Sequence, residues 1–353
     1  ASAGVEAFDA SRLVHVRRLQ VAGRNFGTVE LMEDKARGGR AVAAKCMPED
    51  WICAGPAEFA ERHPGEAEKP WRDMGLVRLL GVWDFPYVCD FYGVFRGGGH
   101  SLVATEFCTE GDLNRWCFGS AAPPPGPERE ARIRPIAAQL CAAVRWLHNL
   151  GIAHCDVSLE NILLTASQGV DPKVKLIDFG MATLRRRAPV YFRGKVVYQA
   201  PEGHCGDYVD TFLADNFAIG ALLLTLGVQR YPWGATRSGS CPRFSVLVSH
   251  GFRSFLAQCC PAVGTGAPAI EVLSPALVDT VEALVKLWPR ERACLGEVAF
   301  ERRWWRPTRR NVLEMAFLAQ HSPLTLGLKF AEDRPTSSNA STCASCDSSP
   351  LSC

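Results

Sequence analysis

Residues 154–161 read His-Cys-Asp-Val-Ser-Leu-Glu-Asn, and residues 175–180 read Lys-Leu-Ile-Asp-Phe-Gly. Each run stands beside a short apolar stretch, which predicts that both lie at the ends of buried strands or helices. Together they bring Asp156, Asn161 and Asp178 into one part of the chain. Carboxylate and amide oxygens are ligands that Mg²⁺ accepts, and a carboxylate can also take up a proton. The middle of the chain therefore holds a candidate metal and acid–base site.

Two further runs flank this stretch at a distance. Val-Ala-Ala-Lys ends at Lys45, and Ala-Pro-Glu ends at Glu202. Phosphoryl transfer needs a glycine-bearing turn over the phosphates, a lysine on them, metal-binding oxygens, and a carboxylate beside the incoming hydroxyl. All of these groups occur here in that order, since residues 22–29 supply a turn with two glycines.

In series, these runs resemble the signature set of the eukaryotic protein kinase family, from about Leu13 to Trp305. Their joint spacing is far more specific than any single triplet. The resemblance implies an α+β, two-lobed fold with a five-stranded antiparallel sheet in the N-terminal lobe and a mainly helical C-terminal lobe. We expect these lobes at 11–107 and 108–315, and a largely disordered, Ser-rich tail at 316–353.

The same resemblance implies ATP and Mg²⁺ as cofactors and a protein as substrate. Lys45 would contact the α- and β-phosphates, and Asp156 would accept the proton of the substrate hydroxyl. Asn161 and Asp178 would hold Mg²⁺. The implied catalytic residues are thus Asp156, Lys45 and Asn161.

The remaining implied residues line the nucleotide or support the fold. Thr105 would be a small gatekeeper, the backbone of Glu106 and Cys108 would bond adenine, and Asp112 would contact ribose. The complete set expected to bind ATP is Ala22, Gly23, Gly27, Val29, Ala43, Lys45, Thr105, Glu106, Cys108, Asp112 and Leu163. The set expected to have structural or regulatory roles is Asp73, His154, Phe179, Gly180, Glu202, Asp215 and Arg292. Within it, Asp215 would support the catalytic loop, and Glu202 would pair with Arg292.

The glycine-bearing turn departs from the family pattern. Ala22 and Arg24 stand where the first two glycines are usual, while Gly27 is kept. Arg24 either places a cation over the phosphates or is a solvated turn residue.

The carboxylate partner of Lys45 is also displaced, because the usual position falls on Leu76. Asp73, one helical turn earlier on the same face, is the partner we predict. Glu68 and Glu66, in the preceding loop, are the alternatives.

Three positions bear on how the kinase is expected to be regulated and on which residue type would accept the phosphate. Cys155 replaces the arginine that in many relatives answers a phosphorylated activation loop, so we predict that this loop, which carries Thr183 and Tyr191, needs no phosphorylation. Ser158 stands where serine/threonine kinases usually place a lysine, and Lys195 where they usually place a threonine. Lys195 either restores the lost charge or is a solvent-facing loop residue. A serine or threonine acceptor is favoured over tyrosine, because the tyrosine-specific signatures are absent too.

The run from Lys45 to Trp51, Lys-Cys-Met-Pro-Glu-Asp-Trp, together with the altered turn, resembles the FIKK kinases of apicomplexan parasites. That resemblance would imply a secreted effector, whereas the ordinary expectation is a soluble cytoplasmic protein. Two other functions stay open. One is a pseudokinase acting as a nucleotide-binding or scaffold module, and the other is an interaction protein that uses the basic aromatic run 302–306.

The composition of the chain argues against several classes of binding partner. The 353 residues include 39 basic and 37 acidic side chains, a net charge of +2, which gives no field for binding nucleic acid. No run of about 18 apolar residues is present, so no transmembrane segment is expected. The 15 cysteines are expected to be free thiols, and the pair at 343 and 346 lacks the further ligands of a metal site. The oligomeric state is not predicted.

Overall fold

The computed structural model describes residues 5–22, 27–167, 171–189, 194–259, 266–301 and 309–321. Several of the positions discussed above lie outside these ranges: Gly23, Arg24, Tyr191, the run 302–306 and residues 322–353 of the expected tail.

The N-terminal lobe is built on one six-stranded sheet of order β1-β5-β6-β4-β3-β2. Its strands are β1 Val5–Ala7, β2 Leu13–Val21, β3 Thr28–Asp34, β4 Arg40–Pro48, β5 Phe91–Gly97 and β6 His100–Glu106. Strands β2 to β6 form the five antiparallel strands that the sequence predicts. The addition is β1, which pairs in parallel with β5. Three residues are too few for an alternating pattern to reveal such a strand.

The C-terminal lobe is mainly helical, as expected. In the described part of the chain the α-helices are α1 Glu49–Ile52, α2 Pro56–Arg62, α3 Pro70–Val82, α4 Leu113–Phe118, α5 Pro127–Asn149, α6 Thr211–Val228, α7 Pro242–His250, α8 Phe252–Cys259, α9 Ala269–Val272 and α10 Pro275–Leu284. The first three belong to the N-terminal lobe. Two small sheets are also present among the described residues: β7 Gly111–Asp112, β8 Ile162–Thr165 and β9 Lys173–Leu176 form one, and β10 Arg187–Pro189 with β11 Tyr208–Asp210 form the other.

The spacing of apolar residues in the sequence predicts a loop at 57–70 and helices at 132–150 and 245–258, and the structure differs from each prediction in detail. The charged stretch 57–70 was expected to be a loop but contains most of α2, because Phe59 is buried and its ring packs edge-on against Trp51 at 5.2 Å. A single helix expected at 245–258 is divided between α7 and α8 by Gly251, whose φ of +81° ends the first helix. Helix α5 starts at Pro127, before the expected Arg132, because proline fits the first turn of a helix.

The main hydrophobic core lies between α5, α6 and α10. Leu140, Leu147, Phe217 and Leu223 are fully buried there. Helix α6 has 18 residues and is long and apolar enough to cross a membrane, although no stretch of this kind was expected from the sequence. However, 94% of that helix is buried inside the protein, as in the central helix of a folded core. Its burial fixes the position of Asp215, which it carries toward the candidate site.

Candidate active site

Lys45 lies near the end of β4, between β3 and β6, and its ammonium group is surrounded by carboxylates. The Nζ atom is 2.9 Å from Asp73 Oδ2, 3.7 Å from Asp178 Oδ1 and 4.0 Å from Glu68 Oε1. Burial lowers the pKa of Lys45, but these three charges outweigh it and hold the pKa well above its ordinary value. Lys45 is therefore a permanently charged group in the wall of the cleft.

The structure supplies the carboxylate for Lys45 from the first turn of α3. Asp73 uses Oδ2 for the lysine and accepts a hydrogen bond from Phe179 N on Oδ1, at 2.8 Å. Leu76, the usual position of this carboxylate, is buried. Of the two alternatives, Glu68 lies 4.0 Å from Lys45 and is thus more distant than Asp73, and Glu66 accepts a hydrogen bond from the Glu68 backbone at 3.2 Å.

The start of α3 also holds the segment that follows Asp178. Lys69 N donates to Gly180 O at 2.9 Å, and Arg72 Nη1 donates to Ala182 O at 2.6 Å. A Cβ on Gly180 would lie 2.8 Å from Glu68 Cγ, so only glycine allows this close approach. Helix α3 thereby sets the position of the candidate metal-binding segment.

Asp178 has a left-handed backbone conformation, with φ 64° and ψ 72°. This conformation is uncommon outside glycine, although aspartate tolerates it better than most residues. Burial raises the pKa of Asp178, but the charge of Lys45 and that of His154 outweigh it and keep the pKa below its ordinary value. The carboxylate is thus ionised, as a metal ligand must be.

Asp156 lies in the loop after α5 and is held by Asn161. Asn161 Nδ2 donates to Asp156 Oδ2 at 2.7 Å and to the Asp156 carbonyl at 2.9 Å. Asp156 Oδ1 is buried and has no hydrogen-bond partner among the residues that the structure describes. Burial raises the pKa of this carboxyl group, with His154 and Lys195 opposing the shift. An unsatisfied buried oxygen of this kind is free to accept a proton from a bound hydroxyl group.

The loop and the Asp178 segment are tied together. Ile177 N donates to Asn161 O at 3.1 Å, and the His154 ring packs 5.0 Å from the Phe179 ring. The structure therefore brings Lys45, Asp156, Asn161 and Asp178 into one cleft.

Asp215 supports the loop from α6. Its Oδ1 accepts from Cys155 N and its Oδ2 from His154 N, both at 2.8 Å. Cys155 has a φ of 61°, a costly conformation for a residue with a side chain, and the two hydrogen bonds hold it there.

A buried charge cluster behind Asp215 was missed in the sequence. His148 Nε2 lies 3.1 Å from Asp215 Oδ2, and its Nδ1 lies 2.8 Å from Glu297 Oε1. Burial lowers the pKa of His148, but the two carboxylates raise it by a larger amount. The pKa therefore lies at about 9, above its ordinary value of 6.5. The only signal was a histidine near the end of a long helix, which names no partner.

The expected nucleotide residues lie along the inner strands. Ala43 of β4 is paired with Thr105 of β6, and Val29 of β3 with Lys45. Thr105 Oγ1 donates to Ala43 O at 3.5 Å. Ala22 N donates to Gly27 O at 2.8 Å, which closes the turn whose centre, with Gly23, is outside the described ranges.

The segment after β6 joins the two lobes, and an unpredicted ion pair fixes it. Glu106 Oε2 lies 2.9 Å from Lys175 Nζ, and Lys175 also donates to Val88 O at 2.9 Å. Lys175 lies between Val174 and Leu176, two apolar residues of β9, and a cation at such a position is a signal that could have been noticed. Leu163 lies opposite Lys175 on β8.

Two other residues of the expected ATP-binding set, Cys108 and Asp112, have different surroundings. Cys108 is buried with its Sγ 3.7 Å from Cys89 Sγ. Asp112 caps α4 by accepting from Arg115 N at 2.7 Å, so a ribose contact would have to use a carboxylate that already has a structural partner.

Glu202 and Arg292 form the expected ion pair. Two parallel contacts join the side chains, at 2.6 and 2.9 Å, and Arg292 also donates to Leu213 O at 2.7 Å. Arg292 is almost completely buried, so the pair anchors the segment after the activation loop to the core.

The comparisons with known proteins match this arrangement. The family model described as "Protein kinase domain" matches residues 25–304, which is most of the chain. The chain belongs to the protein kinase family. The Lys45 to Glu202 signature thus lies within the matched kinase domain, and the two-lobed fold is confirmed.

Named relatives are serine/threonine kinases. The chain is 32% identical over 161 residues to serine/threonine-protein kinase kin-29 of Caenorhabditis briggsae, covering 45% of this chain and 19% of that protein. It is 28% identical over 241 residues to testis-specific serine/threonine-protein kinase 5 of Mus musculus, covering 67% and 59%. It is 29% identical over 149 residues to serine/threonine-protein kinase ULK3 of Xenopus laevis, covering 42% and 30%. The chain therefore spans less than two thirds of each of these relatives, and its resemblance to FIKK kinases stays a prediction.

Proposed function

We propose that this kinase domain transfers the terminal phosphate of Mg·ATP to a protein hydroxyl group, that of serine or threonine. The observation that carries the proposal is the convergence of Lys45, Asp178, Asp156 and Asn161 on one cleft, with Asp178 Oδ1 only 3.7 Å from Lys45 Nζ. A fixed cation, an ionised metal ligand and a carboxylate with a raised pKa are the groups this reaction needs.

The residues fit a divalent cation. Asn161 commits its amide nitrogen to Asp156, which leaves Oδ1 as the atom of this side chain that would hold Mg²⁺. Asp178 would supply the second protein oxygen, and the phosphates the others. When bound, the cation neutralises phosphate charge in the transition state.

In the reaction, the substrate hydroxyl oxygen would bond to the terminal phosphorus as the bond between phosphorus and the bridging oxygen of ADP breaks. Asp156 Oδ1 would receive the hydroxyl proton, since it is buried and none of the described residues forms a hydrogen bond with it. Lys45, held by Asp73 at 2.9 Å, would position the phosphates that remain on ADP.

The test is a transfer assay on mixed peptides with wild type and Asp156→Asn, followed by phosphoamino-acid analysis. Asp50→Asn, on the exposed face of α1, is the matched control. We expect label on serine or threonine, lost only in the Asp156 variant. Label confined to tyrosine would contradict the acceptor assignment.

The alternative is a nucleotide-binding or scaffold module, which the replacement of glycine by Ala22 favours. A thermal shift with ATP and Mg²⁺, set against ATP and a chelator, separates the two. A metal-dependent shift without any transfer would favour the module.

A further inference from the structure

Lys195 lies directly beside the candidate base. The preceding residue, Gly194, has a φ of +72°, and a Cβ on it would lie 2.8 Å from Asp156 Oδ1. No side chain fits between this backbone and the carboxylate. The activation segment therefore passes Asp156 at van der Waals distance and presents Lys195 at the mouth of the cleft.

The ammonium group of Lys195 is held by two side chains of the catalytic loop. Its Nζ is 3.1 Å from Ser158 Oγ and 2.9 Å from Glu160 Oε2. The Lys195 side chain is 41% exposed, whereas Ser158 is completely buried. A half-exposed ion pair of this kind is weak, so the ammonium group can leave Glu160 at little cost.

The catalytic loop itself offers a neutral hydroxyl, Ser158, between Asp156 and Asn161. Lys45 is on the opposite lobe and is already paired with Asp73. A transferring phosphoryl group carries negative charge on its outer oxygens, and preorganised cations around it are a large source of rate.

We propose that Lys195 is a catalytic residue, whose ammonium group leaves Glu160 and contacts the transferred phosphate of ATP from the C-terminal lobe. This proposal rests on the proposed function. In the structure, the ammonium group of Lys195 contacts Ser158 Oγ, and this contact holds the cation beside the catalytic loop. Lys195 keeps its proton throughout, and the hydroxyl proton goes to Asp156.

The first experiment measures Kd for ATP and for ADP, and kcat, in Lys195→Met. We expect ATP binding to weaken by about tenfold, with ADP binding unchanged, because only ATP carries the contacted phosphate. We expect kcat to fall by about 10²-fold. Lys173→Met, an exposed lysine on β9, is the matched control and should match wild type.

Exchange of the two residues provides the rescue. Ser158→Lys combined with Lys195→Ser moves the ammonium group to the other side of the same 3.1 Å contact. We expect this double variant to recover at least about a tenth of wild-type kcat, since the cation returns to the same place. The Tm of each variant shows whether it is folded.

Glu160→Gln separates a catalytic from a merely structural lysine. If Lys195 only anchors the loop through Glu160, this variant should weaken ATP binding as Lys195→Met does. If the ammonium group moves to phosphate, removing its competitor should tighten ATP binding.

ATP affinity and kcat within about twofold of wild type in folded Lys195→Met would overturn the proposal. Failure of the proposed function gives a different result, because the wild-type protein would then transfer no phosphate. The ratio of ATP affinity to ADP affinity, compared between wild type and Lys195→Met, would still show whether Lys195 contacts the terminal phosphate.

Discussion

Asp73 Oδ2 lies 2.9 Å from Lys45 Nζ, although Asp73 stands one helical turn before the position at which relatives place the partner of this lysine. Aspartate has a shorter side chain than the glutamate that is usual in this role. The first turn of α3 compensates because it lies close to the cleft. The second oxygen of the same carboxylate binds Phe179 N at 2.8 Å. One side chain therefore fixes the phosphate-binding lysine and the metal-binding segment together.

Removing the charge of Asp73 should impair catalysis more than removing that of Glu68. We expect Asp73→Asn to lower kcat/KM by about 10²-fold, since both Lys45 and Phe179 lose their anchor. Glu68→Gln, the matched control 4.0 Å from the lysine, should cost less than about fivefold. Equal losses, measured by steady-state kinetics, would argue against Asp73 as the main partner.

The buried His148 cluster should make stability depend on pH. The folded-state pKa of His148, about 9, is raised above its ordinary value of 6.5, so its stabilisation is complete below about pH 6.5 and disappears as pH rises through 9. The facing charged groups are Asp215 and Glu297. We expect His148→Gln to lose of the order of 3 kcal/mol of unfolding free energy at pH 6 and almost nothing at pH 10.

Urea unfolding between pH 6 and 10 measures this. His250→Gln, an exposed histidine at the end of α7, should keep the wild-type dependence. A wild-type curve no steeper than that of His148→Gln would disprove the assignment.

The Glu202–Arg292 pair should contribute to stability because it is buried. Glu202→Gln leaves a completely buried guanidinium group without its charge partner, which costs about 3–5 kcal/mol and lowers Tm by roughly 10 °C. Arg253→Gln breaks an exposed pair with Asp279 and should cost less than about 1 kcal/mol. Differential scanning calorimetry compares the two, and similar losses would show that burial is not the deciding factor.

Activity should not depend on phosphorylation of Thr183. Its side chain is buried, its backbone pairs with Ala153 at 2.9 Å, and its hydroxyl accepts from Arg185 N at 3.2 Å. We expect Thr183→Val and phosphatase treatment to leave turnover within about twofold, because Cys155 supplies no cation for a phosphate. Tyr191→Phe is expected to behave likewise. A hundredfold loss in either variant would refute this.

Much of the site follows from local sequence. The strands, the catalytic loop and the Asp178 segment have strong local patterns, and Asp73 was reachable because residues three or four apart share a helix face. The misses are long-range. Nothing near Lys175 names Glu106, and nothing near His148 names Glu297, since those contacts exist only after the chain has folded. Phe59 shows the same limit, because tertiary burial made a helix of a stretch whose charges suggested a loop.

The Glu106–Lys175 ion pair fastens the last residue of β6 to the strand that leads into Asp178. Helix α3 joins the same two lobes at a second place, through its hydrogen bonds to Phe179, Gly180 and Ala182. Two bodies joined at both ends of a cleft cannot open it without breaking a contact, so wide opening of the cleft should require the loss of one of these two ties.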